Sequence, residues 1–209
     1  IFAMFIWGSS FIALKSAIGP LGEYTVIFLR MFVASLVFIF FIKSFLKYSF
    51  TKSDIKYILL LALFEPCLYF IFEAKAIQLT TASQAGMITS LMPVITAMLA
   101  GLFLKEIISK QLIAGSVIAL IAAITLSLQA SSSEVAPNPV LGNFLELLAM
   151  VCGAGYTIVA RYLSTKFSAL FITAIQAFIG AVFFFPFFLY EYFTMDLNFT
   201  YEAVSWTIY

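Results

Sequence analysis

Seven runs of about twenty apolar residues leave this chain few ways to fold. They cover residues 1–18, 25–42, 57–76, 83–104, 111–129, 141–160 and 168–189. A helix that crosses a hydrocarbon core of about 30 Å needs roughly 20 such residues. Only helices and closed barrels satisfy every backbone polar group in lipid, and the runs are continuous rather than alternating, which excludes the barrel. Of the 209 residues, 64% are hydrophobic and 10% charged, where a soluble domain is about half apolar and a quarter charged. The expected fold is therefore an all-α integral membrane protein, a polytopic helical bundle with lipid as its solvent.

The first run lacks a basic leader and a small-residue cleavage pattern and carries Lys15 late, so it reads as a mature span rather than a signal peptide. The chain opens without Met, and an eighth apolar stretch starts at Val204 shortly before the last residue. The expectation is an incomplete chain of about 7.5 transmembrane helices.

Charge placement gives an orientation. With residue 1 on the cytoplasmic side, the inner loops 43–56, 105–110 and 161–166 hold Lys43, Lys47, Lys52, Lys56, Lys105, Lys110, Arg161 and Lys166. The outer loops hold only Lys75, together with Glu23, Glu134, Glu191, Asp196 and Glu202. Eight basic residues against one is a strong positive-inside bias. Gly19-Pro20-Leu21-Gly22 reads as a tight outer turn, and the polar stretch Ala130–Pro139 as a seam between halves.

Across that seam the sequence echoes itself. Gly8-Ser9-Ser10-Phe11-Ile12-Ala13 in the first run corresponds to Gly153-Ala154-Gly155-Tyr156-Thr157-Ile158 in the sixth, at a constant offset of 145. Five helices precede the seam, so the two segments run in opposite directions through the membrane. Inverted repeats of this kind build transport sites at the repeat interface near the midplane.

These residues also resemble a family. Trp7-Gly8-Ser9-Ser10-Phe11 followed by Lys15 looks like the first-helix signature of the EamA branch of the drug/metabolite transporter superfamily. Arg30 in Phe28-Leu29-Arg30-Met31-Phe32 resembles its second-helix arginine. Thr81-Ala82-Ser83-Gln84-Ala85, Leu91-Met92-Pro93-Val94 and Leu104-Lys105-Glu106 resemble its fourth helix and exit, and Ala154-Gly155-Tyr156 its sixth-helix pattern. The resemblance implies an inverted five-plus-five repeat, here cut short: residues 1–130 as the first repeat, 131–140 as the inter-repeat loop, and 141–209 as part of the second. It further implies export more than import, and a bacterial inner membrane.

Ionisable groups within spans are costly, roughly 2.5–3.5 kcal/mol each, so each must face a partner or a wet cavity. Glu65 lies about 12 Å into the third span, and Pro66 behind it breaks the helical ladder and frees a carbonyl. It reads as a charge partner for solute or proton, or as half of a structural ion pair. Arg30 reads equally as a solute contact or as a structural partner for Glu65 or Glu73. Lys15 is close enough to the outer end to snorkel. Glu146, five residues into the sixth run, either lines the outer mouth or reaches the surface.

Trp7, Tyr69 and Tyr156 place polar tips inside spans rather than at the interfaces where belt aromatics belong. Tyr69 follows Glu65 by one turn on the same face. With Ser10, these residues suggest a pocket that stacks a ring and binds its polar group, between helices 1, 3, 4 and 6. The alternative is that the hydroxyls are spent on backbone carbonyls. Pro93, like Pro66, is a candidate hinge. Gly115, Ala119 and Ala123 form a small-residue strip for close helix packing, within the chain or in a homodimer.

Several classes of function are excluded by composition. The net charge of +1 offers nothing to nucleic acid, and there is no His. The two Asp, Asp54 and Asp196, fall in loops on opposite sides, and Cys67 and Cys152 lie in apolar runs. No catalytic dyad, metal site or cofactor is expected. The expected function is transport of a small polar or amphipathic metabolite (an amino acid, nucleobase-like or cationic compound) by alternating access. The alternative is a non-transporting polytopic scaffold or receptor.

Overall fold

The structure is a computed structural model that describes residues 2–105, 108–129 and 131–208. Glu106 of the Leu104-Lys105-Glu106 pattern and Ala130 at the head of the seam lie outside the described residues, as do Ile1 and Tyr209. The expected runs appear as helices: α1 (Phe2–Leu21), α2 (Glu23–Ile39), a short α3 (Ile42–Phe45), α4 (Lys52–Ala62), α5 (Tyr69–Leu79), α6 (Ala82–Thr89), α7 (Met92–Leu104), α8 (Lys110–Gln129), α9 (Pro139–Leu163), α10 (Ala169–Thr194) and α11 (Tyr201–Ile208). The protein is an all-α, multi-pass membrane protein.

Among the described residues, five helical stretches are each long and apolar enough to cross a bilayer: Lys52–Leu79, Ala82–Leu104, Lys110–Gln129, Pro139–Leu163 and Ala169–Thr194. A sixth crossing is available if α1 and α2, which meet at 117°, are taken as one broken span. The expectation of seven counts them separately. By itself α2 has 17 residues, or about 26 Å of helix, somewhat less than the hydrocarbon thickness.

The bend between α1 and α2 is made by one residue. Gly22 has φ 78°, a left-handed value that side chains disfavour. A Cβ there would also lie 2.7 Å from Glu191 Oε2. Glu191 was expected in an outer loop, but α10 runs past Pro186 to Thr194 and carries Glu191 inward, 4% exposed. Its carboxylate accepts hydrogen bonds from Tyr24 N (3.1 Å), Thr25 N (2.7 Å) and Thr25 Oγ1 (2.7 Å). The start of α2 has no cap of its own at Gly22, so α10 supplies the acceptor that its free N–H groups need.

Two other spans are interrupted. Between α4 and α5 the segment Leu63–Leu68 winds in a wide π turn, with Glu65 out of helical geometry at φ −145°, ψ 120°. Between α6 and α7 the chain turns at Ser90 and Leu91, and Pro93 falls in the first turn of α7. Proline is tolerated there because that turn's N–H has no helical acceptor.

Apolar packing gathers at both ends of the Lys52–Leu79 stretch. At one end Leu21, Val26, Ile77 and Phe184 join α1, α2, α5 and α10. At the other, Leu61, Leu163, Phe167 and Phe171 join α4, α9 and α10. That second end is also tied by the Lys166–Asp54 ion pair and by Ser168 N donating to Tyr48 Oη at 3.1 Å. The irregular segment lies between the two cores. The helix α8 stands at the periphery: a Cβ on Gly115 would meet nothing within 4 Å.

Candidate functional site

The break at Glu65 opens a cavity of about 360 Å³ in the middle of the bundle. Six of the residues expected to form a pocket line it together: Trp7 and Ser10 from α1, Arg30 from α2, Glu65 from the irregular segment, Tyr69 from α5 and Tyr156 from α9. Phe70, Glu73 and Met92 complete the wall. The volume falls in the range of small-molecule sites, about 300–1,000 Å³. Both segments of the echo border this cavity, through Ser10 from the first and Tyr156 from the second.

Local sequence explains part of one wall. Tyr69 and Glu73 are four residues apart on α5, which keeps their side chains on one face. Tyr69 Oη donates to Glu73 Oε1 at 2.8 Å. Glu73, absent from the expected pocket except as a partner for Arg30, was visible in this spacing.

The opposite wall depends on a residue that sequence reading missed. Gln176, an isolated amide in the apolar run of α10, accepts from Tyr156 Oη at 3.1 Å and donates from Nε2 to Glu65 O at 3.3 Å. The Glu65 carbonyl is left open by the irregular winding, since Tyr69 N bonds to Phe64 O and Pro66 O instead, and Gln176 takes it. The Tyr156 hydroxyl is thus held by a side chain rather than by a backbone carbonyl. Ser10 donates to Trp7 O at 2.7 Å within its own helix, so its remaining capacity toward the cavity is as an acceptor.

Arg30 and Glu65 both border the void, and among the described residues neither is in an ion pair. Glu73 shares with Arg30 the lining of this cavity and of a small neighbouring void beside Leu14 and Ile27. The dry Arg30–Glu65 pair that the sequence left open is not formed.

Three expected residues lie elsewhere. Glu146 is fully buried, 0% exposed, and stands behind the cavity wall rather than at an outer mouth. Its Oε1 is 2.9 Å from Thr89 Oγ1 at the end of α6. Pro93 lines a second, more open space of about 520 Å³ with Ala97, Ala100 and Arg161. Trp7 and Met92 border this space as well as the central cavity, and so form the partition between them. Lys15 does not reach the cavity. Its ammonium donates to Ile77 O (2.9 Å), Thr80 O and Val135 O (2.7 Å), tying α1 to the end of α5 and to the loop that precedes α9.

Comparison with known proteins agrees with this architecture. The chain matches the EamA-like transporter family over residues 1–128. It is 29% identical over 199 residues to the uncharacterized transporter YetK of Bacillus subtilis, covering 94% of this chain and 60% of that protein. It is 30% identical over 183 residues to the uncharacterized transporter YcxC of the same organism, covering 86% and 58%. An uncharacterized transporter of Archaeoglobus fulgidus is 24% identical over 183 residues, covering 87% and 63%. The chain thus spans about 60% of the length of these curated relatives. No solved structure matches it. On the family match and the helical membrane architecture together, the chain belongs to the EamA-like transporter family.

Proposed function

We propose that this protein moves a small polar or amphipathic solute through the central cavity by alternating access. The candidates are an amino acid, a nucleobase-like compound or a cationic metabolite. The observation that carries this reading is that Arg30 and Glu65 border one void without pairing to each other. A buried charge is expensive unless something complements it. A solute with a cationic group complements Glu65, and one with an anionic group or carbonyl complements Arg30. Trp7, Tyr69, Phe70 and Tyr156 offer aromatic surface for the rest of the solute.

The opposed echo segments on either side of the cavity fit a rocking motion of two halves, with Pro66 and Pro93 at the helix breaks. Residue 1 lies on the cytoplasmic side of a bacterial inner membrane in this proposal, on the positive-inside bias, and the preferred direction is outward. Association into a homodimer through the small-residue strip of α8 belongs to the same proposal.

The test is uptake and efflux in proteoliposomes of the full-length protein with labelled L-tryptophan, L-arginine, adenosine and putrescine. Saturable flux of at least one, in excess of empty liposomes and lost in Glu65→Gln or Arg30→Gln, is the expected result. No flux of any of the four overturns this choice of solute class.

A further inference from the structure

Glu146 carries a feature that solute binding does not use. Among the described residues it is the most deeply buried carboxyl, 0% exposed, and its Oε2 has no hydrogen-bond partner. Its Oε1 meets Thr89 Oγ1 at 2.9 Å, and that same hydroxyl lies 2.9 Å from Ala85 O. A threonine hydroxyl has one proton to donate. Back-bonding to the carbonyl four residues earlier is its usual use in a helix. If that proton goes to Ala85 O, a proton on the carboxyl completes the contact to Glu146; if it goes to Oε1, Oε2 is still left buried without a donor.

The surroundings favour the same state. From α5 come Tyr69, which packs with Ala149 and Met150 one turn from Glu146, and its hydrogen-bond partner Glu73, a second carboxyl. The irregular segment brings Glu65 and Cys67. The helices α6 and α7 bring no charged or titratable side chain, and α8 brings only Lys110 at its start. On α4, Lys52, Asp54, Lys56 and Tyr57 belong to the opposite end of α9, with Arg161 about 22 Å further along that helix. Among the described residues no cation contacts Glu146. An isolated charge in such a place costs so much that the group neutralises instead.

We infer that Glu146 is a proton-binding site separate from the solute cavity, holding its proton while Thr89 and the α6–α7 break are packed on it and releasing it to water when that contact opens. This rests in part on the transport reading, since the proton then sets the conformational equilibrium at a break whose next residue, Met92, borders the cavity. Thr89 is the last residue of α6, directly before the turn at Ser90 and Leu91, so the carboxyl reads the break at first hand.

Two measurements decide it. The first is thermal unfolding of the purified full-length protein between about pH 5 and about pH 8, wild type against Glu146→Gln. If the folded state holds a proton that the unfolded state gives up in this range, stability is present at low pH and is lost as pH rises. The wild-type melting temperature therefore falls with pH, and the variant's falls less. Superimposable slopes overturn the proposal. So does a Glu146→Gln protein that does not fold, because an amide of the same shape replaces a neutral carboxyl but not a carboxylate.

The second measurement is the pH profile of flux for the four labelled solutes. The wild type changes rate with pH, and Glu146→Gln shows a flattened profile. An unchanged profile overturns the coupling. Absence of all flux overturns the solute class proposed above, and the melting comparison then decides the proton site without it.

Discussion

Tyr69 donates a 2.8 Å hydrogen bond to Glu73 from one helical turn earlier on α5, and both side chains form the wall of the central cavity. The bond is intrahelical, so the spacing of the sequence sets it. Its consequence is tertiary: it holds the ring against α9 and fixes where Glu73 offers its charge to Arg30. Removing it with Tyr69→Phe leaves Glu73 buried without its donor. A loss of about 1–3 kcal/mol in stability is expected, read as a lower melting temperature in detergent.

Charge in the cavity should matter more to solute than to fold. Glu65 and Arg30 are in no ion pair among the described residues, so Glu65→Gln and Arg30→Gln should change melting little. A lost charge-assisted hydrogen bond of about 1.5–3 kcal/mol corresponds to roughly 10- to 100-fold weaker binding. Competition binding or the concentration dependence of flux measures it. A variant that unfolds instead would place the residue among structural charges.

Gln176 links two elements, and its replacement should loosen both. Gln176→Leu keeps the bulk but strips the Tyr156 hydroxyl of its acceptor and the Glu65 carbonyl of its donor. Two buried groups left unpaired cost about 1–3 kcal/mol each. The expected outcome is a clear drop in melting temperature together with reduced flux.

Close approach is testable at glycine. A Cβ on Gly180 would lie 2.7 Å from Pro66 Cγ and 2.9 Å from Met31 Sδ, so Gly180→Ala should push α10 off the irregular segment. Overpacking of this kind costs about 1–3 kcal/mol. Gly115→Ala meets nothing within 4 Å and should raise helix stability slightly, by at most about 1 kcal/mol. If Gly115→Ala instead disrupts an oligomer detected by crosslinking, α8 is an interface between copies.

The capping role of Glu191 predicts a local defect. Glu191→Ala removes all three bonds that close the start of α2. Loss of a cap costs about 0.5–2 kcal/mol. Hydrogen exchange should quicken at Tyr24 and Thr25 before it does along the rest of α2.

The amino-acid sequence by itself determined five of the spans to within a few residues, the break at Glu65-Pro66 and the spacing that pairs Tyr69 with Glu73. Each of these is a local property: apolar length, a missing N–H at proline, or side-chain spacing along one helix. The sequence also selected Trp7, Ser10, Arg30 and Tyr156, because polar and ionisable groups in lipid need somewhere to point. Only the tertiary structure decided which group answers which. Gln176 took the freed carbonyl, Glu191 was drawn in to cap α2, and Glu146 went behind the cavity wall rather than to its mouth. Those outcomes depend on how α9 and α10 pack across α5 and α2. Such pairings join residues 57 to 167 positions apart, and no periodicity within either helix encodes them.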